Sequence, residues 1–396
     1  MRFFTLLLSA FLYFACESPT KQTQRSISLD TLVNDSLIIE EGIPLPIYCD
    51  TILDRLARFV AGLPQLDSSQ YRIMEDAEHW MDYNLFMDAN WYRMEESRLN
   101  QMSSWKDEYL LPSIHDSLAV FYPFGGPDLL HAVVLYSNSS EFILAGLEPI
   151  TEIPNIAGFT SQEQNAYLDS LSSSLRDIFG KSFFITRNMK NDLQQVSGVV
   201  PLFLVFIART GHEMVGMNYI SIDSAGNDHE VSFDELVMSR VKAVRFEFRN
   251  RGGGHLKRMY YLSGDVSNPG LRSKKEFNAF LNRKKPFNTF IKSASYLMHQ
   301  EYFSLIRGLI IESSESILQD DTGIPYRFLK GDDYKGYFFG EYQRPVKTFF
   351  YLEKQEDLDS AFQIKSNPLP FSLGYHWGDR KQHYMFFKKK NSIFVP

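Results

Sequence analysis

Cysteine is nearly absent from this chain: Cys16 and Cys49 are the only two in 396 residues, which excludes a disulfide-framed scaffold. There is no excess of positive charge. The net charge of -7 argues against nucleic acid as a partner, and the short basic clusters Arg283–Lys285 and Lys388–Lys390 read as solvated surface. Several catalytic signatures are also missing. No G-x-S-x-G elbow occurs, and at Lys292 the S-x-x-K order is replaced by Thr289-Phe-Ile-Lys292. His212-Glu213 is followed by Gly216 where a zinc protease needs histidine, and the other histidines show no metal-ligand spacing, so neither metal nor cofactor is expected from motifs alone. The folded part carries no repeat and no low-complexity tract.

What is present begins at the N-terminus. Met1-Arg2 supplies a charged start, and Phe3 to Ala15 is apolar apart from Thr5 and Ser9. That run falls short of the roughly 20 residues needed to span a bilayer but suits a secretory signal. Ala15-Cys16 followed by polar residues resembles a bacterial lipobox, with Tyr13 standing where an aliphatic residue is usual. The resemblance implies a signal peptide over 1–15, lipidation of Cys16 by acyl chains such as palmitate, and attachment to a membrane outside the cytoplasm, the outer membrane being expected. Residues 16–45, polar at their start, then read as a flexible tether. Cys49 is left without an intramolecular partner and is expected to act as a small buried hydrophobe.

Apolar residues make up 44% and aromatics 15% of the sequence, with 33 Phe and 21 Tyr, so a large core can form over two or three domains. Residues 46–110 read as helical, with Ile52, Leu53, Leu56, Phe59 and Val60 at helical spacing and Trp80, Trp91 and Trp105 expected in the core. Residues 111–240 read as a Rossmann-like α/β region: strand Ser117–Tyr122, turn Pro123–Gly126, a helix from Pro127 to Asn138, and strand Glu141–Leu147. Helices are expected at Ser161–Phe179 and Asn188–Gln195, and Val199–Ala208 fits helix or buried strand. Residues 241–396 read as an α+β region packed on the first. A hairpin joins Val244–Phe248 to Met259–Leu262, helices are expected at Lys274–Leu281 and Tyr302–Ile317, and strands at Tyr337–Phe339, Thr348–Leu352, Phe371–Tyr375 and His383–Phe387. The fold class is therefore α/β or α+β, with a βαβ unit in the middle.

Three segments are candidates for chemistry. Gly125-Gly126 opens a helix, where backbone N–H groups can hold an anion, and Glu148 ends the next strand, where dinucleotide folds place a ribose-binding acid. Pro127-Asp128 breaks the G-x-G-x-x-G fingerprint, and Asp128 places negative charge where a phosphate would sit. Gln319–Arg327 holds the adjacent acids Asp320 and Asp321, suited to cation binding or acid–base work, or to an Asx turn with Arg327 as charge partner. Lys292–His299, read as a helix, would place Lys292, Tyr296 and His299 on one face and Ser295 one turn from His299.

Residues 117–148 resemble the first βαβ unit of class I methyltransferases, which bind S-adenosylmethionine. Phe121–Leu130, Leu144–Pro149, Lys292–His299 and Gln319–Arg327 together resemble segments of a family of uncharacterised bacterial envelope lipoproteins, a resemblance that implies one architecture and no activity. The leading expectation is a membrane-anchored envelope protein with a binding or structural role, its partner an envelope protein or a small-molecule ligand. One alternative is a hydrolase using Asp320, Asp321, Lys292, His299 and Arg327. Another is a methyltransferase-like fold that has lost its cofactor.

Overall fold

The computed structural model describes residues 49–184, 196, 198–349, 351–378 and 382–390. The signal, the tether and the helix expected at 188–195 lie outside these. Asp50 opens α1 (Thr51–Val60) by accepting a hydrogen bond from Leu53 N–H at 3.0 Å. Helices α2 (Gln70–Glu75), α3 (Glu78–Met94) and α4 (Asn100–Trp105) follow, with π-turns after α3 and α4. Trp80, Trp91 and Trp105 are all core residues. Cys49 is a half-buried free thiol that burial, aided by Asp54 and Glu213, pushes up to about 11, which leaves it a poor nucleophile.

The α/β part begins with β1 (Ala119–Tyr122), α5 (Leu129–Leu135) and β2 (Glu141–Gly146). Thr160 and Glu163 form a capping box at the start of α6 (Ser161–Lys181). The ambiguous apolar run is a helix, α7 (Val200–Arg209), buried along nearly its whole length. Then come β3 (His212–Ile222), β4 (Asp228–Val231), α8 (Phe233–Met238), β5 (Lys242–Asn250) and β6 (Lys257–Ser263). Next are α9 (Asn268–Ser273), α10 (Lys275–Lys284), β7 (Phe287–Ile291), α11 (Ser304–Ser313) and β8 (Ser314–Gln319). The chain closes with β9 (Tyr334–Gly340), α12 (Glu356–Ile364) and β10 (His383–Lys389).

Among the described residues, ten strands join in one mixed sheet, ordered β4-β3-β5-β6-β2-β1-β7-β8-β10-β9. Strands from residues 111–240 and from 241–396 interleave in it. The inner five, β6-β2-β1-β7-β8, are parallel, while β3, β4 and β5 on one side and β10 on the other pair antiparallel. Sequence explains this division. β1 and β7 are buried at every position, as a strand covered on both faces requires, whereas β5 alternates, with Arg245, Glu247 and Arg249 turned outward. Val120, Tyr122, Phe142 and Leu144 join the core under α1, α3, α5, α6 and α7. Ala119, Phe121, Ile143 and Ala145 join the core under α9, α10, α11 and α12 on the opposite face. Each fully buried large side chain of these layers contributes about 1.5–3 kcal/mol.

Four expectations are corrected. Tyr302–Ile317 is helix only as far as Ser313, and its last residues form β8. Lys347–Phe349 and Gly374–His376 are 3-10 turns where strands were expected. Lys292–Tyr296 is not helical: Ser293, Ser295 and Tyr296 have φ of 57°, 55° and 59°. Tertiary bonds impose that path, since Ala294 N–H donates to Thr322 Oγ1 at 3.0 Å and Tyr296 N–H to Thr322 O at 3.1 Å.

Candidate functional site

In an open doubly wound sheet, ligands bind beyond the carboxyl ends of the strands where the winding reverses. Here that point lies between β1, which leads through α5 to β2, and β7 on its other side. A pocket enclosing ≈ 190 Å³ sits there. Its polar groups include Gly126, Glu148, Asp265, Lys292 and Ser295, and Phe124, Phe183, Phe184 and Phe303 supply apolar walls.

Glu148 stands where the sequence places it, just past β2. The Tyr261 hydroxyl shares its one proton between Glu148 Oε2 at 3.1 Å and the Glu148 carbonyl at 3.0 Å, and Ser263 Oγ donates to that carbonyl at 2.8 Å. Burial raises its pKa above the ordinary carboxylate value, making it a weaker acid. Gly126 (φ +54°) forms part of the cradle: a Cβ there would meet the Glu148 carboxylate at 3.2 Å, and a Cβ on Gly146 would collide with it.

Several N–H groups of the Gly125-Gly126 turn are spent on its own hydrogen bonds. Gly126 N–H donates to Ala145 O, Asp128 N–H to Gly125 O, and His131 N–H to Asp128 Oδ1. Asp128 does not present a free charge to a ligand either, because it turns inward. Lys292 Nζ ion-pairs with Asp128 Oδ2 and donates to Ser182 O at 2.5 Å, and Tyr122 Oη donates to Oδ2 at 3.0 Å. His131 Nδ1 lies 2.7 Å from Asp128 Oδ1 and 3.0 Å from Lys292 Nζ. One ring nitrogen cannot serve both, so Nδ1–H donates to the carboxylate. Burial raises the proton affinity of Asp128, but His131 and Lys292 outweigh it and hold the group below its ordinary range. Burial pulls Lys292 down to about 8, opposed by Asp128. It pulls His131 down to about 3.

The five residues grouped by sequence as catalytic do not share one pocket. Lys292 lines the switch-point pocket. Asp320 lies behind it: Oδ1 accepts from Thr322 N–H and Oγ1 at 2.9 and 2.6 Å, forming the Asx turn that its sequence allows. Gly374 (φ +66°) fills the space between them. A Cβ there would lie 2.9 Å from Ser293 Oγ, 3.2 Å from Lys292 Cγ and 3.3 Å from Asp320 Oδ2. Burial, then the charge of Asp321, raises Asp320 above its ordinary range. Asp321 is fully buried and faces away from the pocket, toward His376 and His383. His299 and Arg327 belong to a separate depression, and Arg327 lies over the Phe328 ring rather than pairing with either acid. Sequence reading missed His131, Tyr122, Asp265, His376 and His383. His376 and His383 meet Asp321 across 55 and 62 residues, which leaves no motif signal, whereas His131 and Tyr122 lie three and six residues from Asp128 and that local spacing was the available signal.

Comparisons with family models, with curated proteins and with solved structures give no match for this chain.

Proposed function

We propose that this chain is a lipid-anchored envelope protein that binds a small hydroxylated molecule with a flat apolar face, of nucleoside type, in the switch-point pocket. The observation that carries the reading is the Glu148 carboxylate held against the Gly126–Gly146 cradle. It accepts from Tyr261 Oη and from the backbone N–H groups of Leu147 and Glu148, and ligand hydroxyls satisfy what is left of the about four acceptor sites of an ionised carboxylate. Glu148 and Asp265 at the pocket, with the Gly126 and Asp128 N–H groups internally bonded, disfavour phosphate. The volume slightly exceeds the roughly 150 Å³ that admits a benzene-sized ring, so one ring system fits inside with the rest at the mouth. Anchoring rests on the lipobox resemblance at Cys16. No helix among the described residues is long and apolar enough to cross a membrane.

Calorimetric titration with adenosine tests the ligand reading. Saturable 1:1 binding is expected, weakened at least tenfold in Glu148→Gln; absence of binding at millimolar adenosine overturns it. Membrane fractionation tests the anchor: Cys16→Ala is expected in the soluble fraction or unprocessed, and a mutant that fractionates like the parent rules the anchor out.

A second reading draws on sheet order. Counted from the βαβ unit, β6-β2-β1-β7-β8-β10-β9 runs 3-2-1-4-5-7-6 with the seventh strand antiparallel. That is the order of class I methyltransferases, the family that residues 117–148 resemble. Micromolar binding of S-adenosylmethionine in the same titration would favour a working cofactor site; binding of adenosine alone would favour a fold whose methyl-donor role is gone.

A further inference from the structure

The turn after β8, the 3-10 turn Gly374–His376 and the first residue of β10 bring three donor groups to one buried point. Asp321 Oδ1 lies 2.9 Å from His383 Nε2 and 3.3 Å from His376 Nε2. The three ligand atoms lie within 4.8 Å of one another, and all three residues are buried. We propose that Asp321, His376 and His383 bind one divalent transition-metal ion, zinc by ligand type.

Geometry supports this first. With zinc–nitrogen and zinc–oxygen bonds of about 2.0–2.2 Å, neighbouring ligands of a tetrahedral site stand about 3.3 Å apart. The two measured separations reach that value with shifts of a few tenths of an ångström. Both imidazoles present the same nitrogen, Nε2, to the same carboxylate oxygen, with ring centroids 4.5 Å apart. A single imidazolium would neutralise Asp321; the second imidazole, turned to the same oxygen, is what a metal site adds.

Charge supports it next. Asp320 and Asp321 are adjacent carboxylates, both fully buried. The nearby Lys292 ammonium is engaged by Asp128. Buried carboxylates are paired or coordinate metals, and a divalent ion held by Asp321 and both imidazoles supplies the counter-charge without protonating either ring. Two imidazole nitrogens and one carboxylate suit zinc, whereas calcium and magnesium prefer oxygen throughout.

Outer-shell contacts complete the arrangement. Tyr296 Oη donates to the other Asp321 oxygen at 2.6 Å, and His299 Nε2 lies 3.2 Å from the Asp321 carbonyl. The Tyr342 and Phe362 rings pack edge-on against His383 at 4.9 and 5.7 Å. Such partners orient metal ligands. A metal here pins the segment carrying Gly374 and Tyr375 to the ends of β8 and β10, and so fixes one wall of the switch-point pocket. The proposal does not depend on what that pocket binds.

The test uses the purified full chain, stripped with chelator and titrated with Zn²⁺ and, for its visible spectrum, with Co²⁺. One Zn²⁺ per chain is expected with a dissociation constant below about 1 µM, and Co²⁺ should give the ligand-field bands of a nitrogen–oxygen site. His376→Gln and His383→Gln should each weaken Zn²⁺ at least about 100-fold. Tyr296→Phe keeps the fold-bearing ring and all three ligands, and should weaken binding by about 10–100-fold. This variant carries the test if a ligand variant fails to fold. A stripped wild-type chain that takes up no stoichiometric Zn²⁺ at 1 µM, or a Tyr296→Phe chain that binds as tightly as wild type, overturns the site.

Discussion

Two buried ionic clusters stand beside neighbouring parallel strands, and they close their charge differently. Around β1 and β7, Asp128 is met by a lysine, an imidazole and a tyrosine hydroxyl, all from the chain itself. Past β8, Asp321 is met by two imidazoles and a tyrosine hydroxyl, with a second buried carboxylate beside it. Burial is the same in both. The first contains a lysine ammonium ion-paired with its carboxylate; the second has imidazoles only, and that difference is why one reads as a structural brace and the other as a site for an ion.

The largest way to break this contrast is to remove the cation of the first cluster. Lys292→Met strands the Asp128 charge in the core, and breaking a buried pair from one side costs about 3–5 kcal/mol. Urea unfolding should register that loss, and Asp128→Asn/Lys292→Met should recover most of it. If the double variant is no more stable than the single one, the two groups are not a closed pair.

Acid should expose a smaller effect in the same cluster. Burial holds His131 at about 3, with Lys292 and Arg98 adding to it against Asp128, while in the unfolded chain the ring titrates near 6.5. The folded state therefore binds fewer protons between these values. Stability from His131 is complete above about pH 6.5 and declines as pH falls toward 3, at about 1.4 kcal/mol per pH unit for one proton. His212 and His299, both lowered to about 4 by burial, add slopes of the same sign. His131→Asn retains an N–H for Asp128 but no titrating ring, so its stability between pH 6 and 4 should depend less steeply on pH, by one proton. A slope equal to that of the parent would place the proton uptake elsewhere.

Much of the middle of the fold is legible in sequence. The β1–turn–α5–β2 unit follows from one apolar tetrapeptide, a glycine pair, Pro127 and a second apolar run, and Glu148 falls where a strand end puts it. The β5–β6 hairpin follows from alternation around Gly252–Gly254. The candidate sites are less legible. Lys292–Tyr296 has helical spacing but takes an irregular path, because hydrogen bonds to Thr322 outweigh local propensity. Asp128 reads from sequence as a charge spoiling an anion site, and only its contact with Lys292 shows where that charge goes.

Sequence by itself determined the α/β class and many of the elements along the chain, because periodicity and turn residues act over a few neighbours. Tertiary structure alone decided which strands lie side by side, and with them the chemistry. Asp321 meets His376 and His383 across 55 and 62 residues, and Asp128 meets Lys292 only because β1 and β7 are adjacent in the sheet. Charge closure in a buried site depends on distance in space, which the linear spacing of residues does not carry.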